Sequence, residues 1–261
     1  MSKRVLITGG AQRLGALLCR TFAHAGWEVW CHYQHSGDTA HALVDELRSA
    51  GFTAYAAQAD LGLQAQRASL LEQVMAKGGA LHCLVNNASM FEEDHATGLD
   101  MGLVRSQLEV NLIAPLSLSA LLAEQVAPDA EAGDCSVIHL LDQKVFNLNP
   151  DYFSYTVSKL ALERSVALQA QALAPAVRVC GVAPGLMFIS GPQSQDNFER
   201  SGKINLMQTA LDPQRVAQAV LFLAENPCIT GVTLAVDNGQ HLVPLTRDVM
   251  FALADNGTPA T

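Results

Sequence analysis

The chain has 261 residues, 49% of them hydrophobic and 16% charged, which is enough apolar material to bury one substantial core across residues 1–261 without a second domain. A net charge of -9 and a pI near 5.3 exclude the clustered Lys and Arg that nucleic acid or an anionic membrane surface demands, so neither is expected as a partner. A small-molecule enzyme fits this balance better.

The six cysteines, Cys19, Cys31, Cys83, Cys135, Cys180 and Cys228, form no CxxC pair and no Cys/His cluster of metal-site spacing. They read as buried thiols in a reducing compartment, and no metal is expected. The amino-terminal "MSKRVLITGG" has an apolar run far short of a signal-peptide core, and nothing later reads as a membrane span. A cytoplasmic protein is expected.

In chain order, the first strand is read at "RVLITG" and runs into "TGGAQRLG", residues 8–15. Glycines there permit a tight turn and close approach of backbone to phosphate, and the helix that follows offers its amino terminus to negative charge. Leu14, Leu17, Leu18 and Phe22 repeat at helical intervals in that helix. The later strands are read at "EVWCHY", "TAYAAQ", "LHCLVNNA", "CSVIHLL", "VRVCGVAP" and "TLAVD". Helical segments fall near 39–50, 64–77, 99–127, 152–173 and 213–225. Short, nearly continuous apolar strands alternating with helices imply an α/β fold, a Rossmann-type doubly wound parallel sheet of about seven strands covered on both faces.

The longest polar interval, "SGPQSQDNFERSGKIN" at 190–205, follows a strand ending in "APG" at the carboxyl edge of the sheet. Residues 186–208 are therefore read as a substrate lid, with a plain surface excursion as the alternative. Tyr155 and Lys159 stand four apart on one helix, on the same face. An ammonium beside a phenol favours the phenolate, so Lys159 is expected to lower the Tyr155 pKa and fit it for proton transfer. His24, His82, His95 and His139 form no ligand set and read as packing or surface residues.

Together these features resemble the short-chain dehydrogenase/reductase family. Thr8, Gly9 and Gly15 match its TGxxxGxG turn, "NNAS" at 86–89 its NNAG, and Tyr155 to Lys159 its YxxxK. Asn111 in "EVNLIAP" and "APG" at 183–185 match two further family segments. The resemblance covers nearly the whole chain. It implies a nicotinamide cofactor, held by Gly9, Gln12, Arg13, Leu14 and Gly15 of the turn, by Gln34, His35 and Ser36 after the second strand, and by Asp60 and Leu61. Asn87, Ala88, Ser89, Tyr155, Lys159, Pro184 and Gly185 complete that implied set. By the same resemblance Lys159 holds the nicotinamide ribose and Asn111 supports a water-linked proton path.

Two departures narrow the resemblance. The family generally has serine thirteen residues before the tyrosine, where this chain has Asp142, and Arg13 replaces the middle glycine of the turn. Both substitutions are similar to the branch of pteridine reductases and bacterial dihydromonapterin reductases, as are "HYQHS" at 32–36, "AQADL" at 57–61, "NNASMF" and "ITGVTLAVDNG". That branch implies Phe91 stacking on a pterin, Ser89 and Arg13 near cofactor and substrate, and Leu186 on the substrate side. The wider family resemblance implies an oligomer, a homotetramer packed through segments 99–127 and 152–173.

The chemistry of Asp142 agrees. Reducing a C=N bond places positive charge on a nitrogen that is protonated early, which a carboxylate stabilises. Carbonyl reduction develops negative charge on oxygen, which a carboxylate opposes. The expectation is an NADPH-dependent reductase of dihydromonapterin or dihydrobiopterin, with dihydrofolate as a poorer substrate. A ketone reductase with Asp142 as a loop cap is the alternative enzyme, Phe91 as ordinary packing the alternative to stacking, and a nucleotide-sensing module the contrasting class. At the end of the second strand, "CHYQHSGD" offers Gln34, His35 and Ser36 before any acid, which favours NADP, while Asp38 leaves dual use conceivable.

Overall fold

A computed structural model describes residues 2–77, 79–126, 131–191 and 193–252. Strand β1, Arg4–Ile7, is buried at all four positions, as a strand covered on both faces must be. The others are β2 (Glu28–Tyr33), β3 (Ala54–Gln58), β4 (Cys83–Asn86), β5 (Cys135–Leu140), β6 (Val177–Pro184) and β7 (Thr233–Val236). They form one sheet in the order β3-β2-β1-β4-β5-β6-β7 with every pair parallel.

The connecting helices are α1 (Arg13–His24), α2 (Gly37–Ser49), α3 (Gln64–Ala76), α4 (Met101–Leu108), α5 (Ala114–Ala123) and α6 (Phe153–Leu173), followed by α7 (Gln195–Ser201), α8 (Pro213–Glu225) and α9 (Val249–Ala252). Strand alternation divides the core. Val5 and Ile7 join Phe22 of α1, Leu47 of α2 and Val220 of α8 on one face. Leu6 joins Leu70 of α3, Leu118 of α5 and Leu162 of α6 on the other. The chain leaves β1 toward β2 and β4 toward β5, so the loops after β1 and β4 diverge. The crevice between them is where an open sheet of this kind binds ligands.

Three elements differ from the sequence expectations. The long helix expected at 99–127 is interrupted by a π turn at Glu109–Ile113, where the Ala114 N–H reaches the Glu109 carbonyl. Helical residues Met101–Ala123 have a mean hydropathy of 1.2 and the length and composition of a membrane span, against the reading that none is present. Leu118 and Leu122 of that run lie in the core beneath α3 and α6. The polar interval at 190–205 is not all loop, because Ser194 caps α7 by accepting from the Asn197 N–H at 3.2 Å. Asn197 Nδ2 then donates to the Met250 carbonyl at 3.0 Å and Ser201 Oγ to the Val249 carbonyl at 3.2 Å. Those bonds fasten the expected lid to the C-terminal segment.

Candidate active site

The turn after β1 is shaped by contacts that only glycine satisfies. A Cβ on Gly15 would lie 2.0 Å from the Gly9 carbonyl oxygen, and one on Gly9, whose φ is +60°, 3.0 Å from Ala88 Cα. Thr8 ties this turn to "NNA": its Oγ1 accepts the Asn87 and Ala88 N–H groups at 2.9 and 3.0 Å. Asn87 Nδ2 returns bonds to the carbonyls of Thr8 and Gly9 at 2.9 and 3.0 Å. Arg13, where the family has glycine, adopts φ +49°, a left-handed conformation that costs a non-glycine residue about 1 kcal/mol or more. Gln12 makes no side-chain cap to α1, whose first turn holds no acid, so the helix presents uncapped N–H groups at this turn.

At the carboxyl end of β5, Asp142 uses its two oxygens differently. Oδ1 accepts the Lys144 N–H at 2.9 Å, which makes Asp142 the cap of the short helical turn Gln143–Val145. Oδ2 accepts from the Tyr155 hydroxyl at 2.9 Å. The cap and the catalytic placement considered for Asp142 are thus occupied by one side chain at once. Burial pushes the Asp142 carboxyl above the usual carboxylate range, against the Lys144 N–H and ammonium that favour its charge.

Tyr155 departs from expectation. Burial first, and the Asp142 carboxylate second, hold its phenol well above its ordinary pKa. Lys159 does not lower it here: its Nζ donates to the Leu140 carbonyl at 2.8 Å and stands 5.8 Å from the Tyr155 ring centroid. Burial brings Lys159 itself down to about 8. The group facing the phenol is an acid.

Asn111 sits in the π turn and is fully buried. Its Nδ2 donates to the Met90 carbonyl at 2.8 Å and Ser158 Oγ at 3.1 Å. Its Oδ1 accepts the Met90 N–H at 2.8 Å and the Ser89 hydroxyl at 3.2 Å. Every hydrogen-bonding valence of the amide is used to pin the Ser89–Met90 loop onto α6. Phe91, the next residue, stacks on Tyr152 with centroids 4.1 Å apart and meets Tyr155 edge-on at 4.6 Å.

Two cavities hold the sequence-predicted residues. The larger, about 420 Å³, is lined by Gly9, Gln12, Arg13, Leu14, Gly15, Asn87, Ala88, Ser89, Phe91, Asp142, Tyr155, Lys159, Pro184, Gly185 and Leu186. The second, about 290 Å³, shares Gly9, Gln12, Ala88 and Ser89 with the first and adds Gln34, His35, Ser36, Asp60 and Leu61. Asn111 alone of the predicted set lines neither, and bonds Ser89 from behind. Arg13 lines the first cavity and not the second, whose described lining residues include no Lys or Arg.

Sequence reasoning missed four residues. His32 accepts the Gly9 N–H on Nδ1 at 3.1 Å and its Nε2 meets the Ala59 carbonyl at 3.1 Å, linking the glycine turn to the Asp60 loop. Burial pulls His32 down to about 4, so it is neutral and Nδ1 is the acceptor. Lys144 and Asp248 line the larger cavity and bond each other at 3.0 Å, and Tyr152 backs Phe91. His32 stood in the quoted "HYQHS" segment, whereas a contact spanning 104 positions leaves no local signal for Lys144 and Asp248. His139 is no surface residue: it is fully buried in β5 between Asn86 and Gln169.

A parallel sheet with a glycine turn at its switch point and a buried Tyr/Lys pair at the end of β5 defines a dinucleotide-dependent oxidoreductase. The chain belongs to the short chain dehydrogenase family, whose model matches residues 3–199. It is 28% identical over 240 residues to a dihydromonapterin reductase of Escherichia coli strain K12, covering 91% of this chain and 96% of that relative. The dihydromonapterin reductase of Citrobacter koseri is 26% identical over 239 residues. Among solved structures, the FolM alternative dihydrofolate reductase 1 of Brucella canis, complexed with NADP, superposes with a TM-score of 0.88 at 36% identity, covering 94% of this chain and 96% of that one. The corresponding Brucella suis protein, also in complex with NADP, gives the same TM-score and identity.

Proposed function

We propose that the protein is an NADPH-dependent reductase of dihydropterins, and that Asp142 and Tyr155 deliver the proton that accompanies hydride transfer to a ring C=N bond. The observation that carries this reading is the 2.9 Å bond from the Tyr155 hydroxyl to Asp142 Oδ2. A carboxylate set against the proton donor stabilises a nitrogen that gains positive charge and opposes an oxygen that gains negative charge. The relatives named as dihydromonapterin reductases and alternative dihydrofolate reductases support the same substrate class.

NADPH, when bound, supplies the hydride. The uncapped N–H groups at the start of α1 and the close approach that Gly9 and Gly15 permit fit its phosphates. Gln34, His35 and Ser36 would meet the adenosine ribose with no carboxylate among them, which favours the phosphorylated form. Lys159, anchored to the Leu140 carbonyl, would hold the nicotinamide ribose beside Tyr155. Asn111 would keep Ser89 in place through the bonds already made. Phe91, held flat by Tyr152, would face the pterin ring on the side opposite the nicotinamide, and Leu186, whose N–H bonds Gln240 Oε1 at 2.9 Å, would contact the substrate.

Proton flow follows from the environment of the pair. Tyr155 stays a phenol near neutrality because burial and Asp142 both oppose its ionisation. It can therefore donate its proton to the ring nitrogen, and Asp142, whose carboxyl burial makes easier to protonate, passes a proton taken up from solvent to the phenolate to restore it. The exposed apolar residues Met101 and Ile113 on the segment Met101–Ala123, and Val157 and Leu168 on α6, suit burial against further copies of the chain, and a homotetramer is part of this proposal.

The assay is NADPH oxidation by the purified protein with dihydromonapterin or dihydrobiopterin, beside a ketone panel and an NADH control. Pterin-dependent oxidation is the expected result. Ketone turnover without pterin turnover would overturn the substrate class, and light scattering that returns a monomer would overturn the assembly.

A further inference from the structure

Besides Asp142, the larger cavity holds a second carboxylate, Asp248, supplied by the C-terminal segment. Asp248 is fixed from three sides. Its Oδ2 accepts from Lys144 Nζ at 3.0 Å, its Oδ1 from the Met250 N–H at 3.1 Å, and its own N–H donates to Asp151 Oδ2 at 2.6 Å. Lys144 thus holds both cavity carboxylates, Asp142 through its backbone N–H and Asp248 through its ammonium.

The remaining donors of that ammonium go to Asn149 Oδ1 at 2.7 Å and the Asp151 carbonyl at 3.0 Å, so Lys144 has none left for a ligand. The other cations lining the cavity are Arg13, at the glycine turn, and Lys159, bonded to Leu140. Among the described residues lining the cavity, Asp248 and Ser190 therefore offer acceptors and a hydroxyl, and the cation bonded to Asp248, Lys144, is fully committed. Asp248 also bears on the reacting pair, since its charge helps hold the Asp142 carboxyl and the Tyr155 phenol up.

We propose that Asp248 is a specificity-determining residue: its fixed carboxylate accepts hydroxyl groups from a neutral polyhydroxyalkyl substituent on the pterin and disfavours an anionic one. A carboxylate accepts hydroxyl hydrogen bonds well, as acidic residues do from ribose, and a like charge brought into the same confined space is repelled. The two names carried by the relatives differ in this substituent: dihydromonapterin bears a neutral polyol, whereas dihydrofolate ends in a glutamate with two carboxylates. On this geometry the chain prefers the polyol. The inference rests on the dihydropterin reading above.

The test compares Asp248→Asn with the unaltered enzyme on three dihydropterins sharing one ring: the trihydroxypropyl compound, the 6-methyl compound and dihydrofolate. Asparagine removes the charge and keeps one acceptor oxygen for the Met250 N–H or for Lys144 Nζ but not both, so its thermal melt is recorded alongside. The KM for the triol should rise about tenfold, the loss of hydrogen bonds to a charged acceptor. The KM for dihydrofolate should fall and that for the 6-methyl compound should hold, with NADPH affinity by fluorescence unchanged, while any change in kcat from the charge lost beside Asp142 and Tyr155 should be common to all three substrates. If Asp248→Asn melts early, Asp248→Ser, which keeps a hydroxyl cap, makes the same comparison. Parallel shifts in all three KM values, or no shift, would overturn the specificity role, since a merely structural residue would not separate the substituents. Failure of the unaltered enzyme to turn over any of the three would instead overturn the dihydropterin reading, and this inference with it.

Discussion

Tyr155 donates its hydroxyl hydrogen to Asp142 at 2.9 Å while the backbone N–H of Lys144 holds the other carboxylate oxygen at the same distance. A carboxylate gripped in this way cannot rotate off the phenol without giving up its cap. The pair is therefore preorganised before substrate arrives, which is the condition for electrostatic stabilisation without reorganisation at the moment of reaction.

Burying that carboxylate has a cost that a neutral analogue avoids. The folded pKa of Asp142 is raised above 3.8, so its contribution to stability is present at low pH and lost as pH rises through the folded value. At neutral pH Asp142→Asn should raise the Tm by a few degrees, about 1 kcal/mol in a chain of this size, while dihydropterin turnover falls. Thermal melts and initial rates on the same preparation check both; a lower Tm would show that the ionised form is net stabilising.

The buried histidines run the other way. Burial lowers His32 from 6.5 to about 4 and His139 from 6.5 to about 3. The unfolded chain then binds more protons than the folded one, so stability is fully present above pH 6.5 and is lost as pH falls toward 4 and 3. Each unit corresponds to about 1.4 kcal/mol, and a steep loss of Tm is expected across this window. His139→Gln should flatten the profile, and a wild-type Tm that stays level through it would contradict the neutral assignment.

Gly15 leaves no room for a side chain. Gly15→Ala puts Cβ against the Gly9 carbonyl, backbone that cannot swing aside, so the turn must move. A loss of about 1–3 kcal/mol and of NADPH binding is expected, measured by denaturant melts and cofactor fluorescence. Normal NADPH affinity in this variant would mean that the turn does not carry the phosphates.

Arg13→Gly separates strain from charge. Relief of the left-handed arginine, about 1 kcal/mol, is offset by the added freedom of glycine in the unfolded chain, so the Tm should change little. Losing the guanidinium should weaken NADPH about tenfold and reduce the salt dependence of binding. Titration at two ionic strengths decides it: equal affinity for both proteins would remove Arg13 from the cofactor site.

Much of this was legible from local pattern. Continuous apolar runs gave the seven strands because a doubly covered sheet has no polar face to interrupt them, and Tyr155, Lys159 and Asp142 lie close enough in sequence for spacing to align them. The π turn at Asn111 was not legible, since "EVNLIAP" continues a helical pattern and the partners that Asn111 bonds from that turn, Met90 and Ser158, lie outside the segment. Spacing alone points to a lowered Tyr155 pKa, opposite to the direction in the fold, because it places Lys159 on the right helix face but says nothing of the Leu140 carbonyl that claims its ammonium. The wall built by Lys144, Asp151 and Asp248 joins segments about a hundred positions apart, beyond any helical or strand period.

The most direct test of the account is steady-state kinetics of Asp142→Ser against wild type, with a dihydropterin and a simple ketone, alongside NADPH affinity. The account predicts that dihydropterin kcat falls sharply, ketone turnover is unchanged or improved, and NADPH affinity stays close to wild type. Dihydropterin turnover equal to wild type would contradict it, reducing Asp142 to the cap of Gln143–Val145.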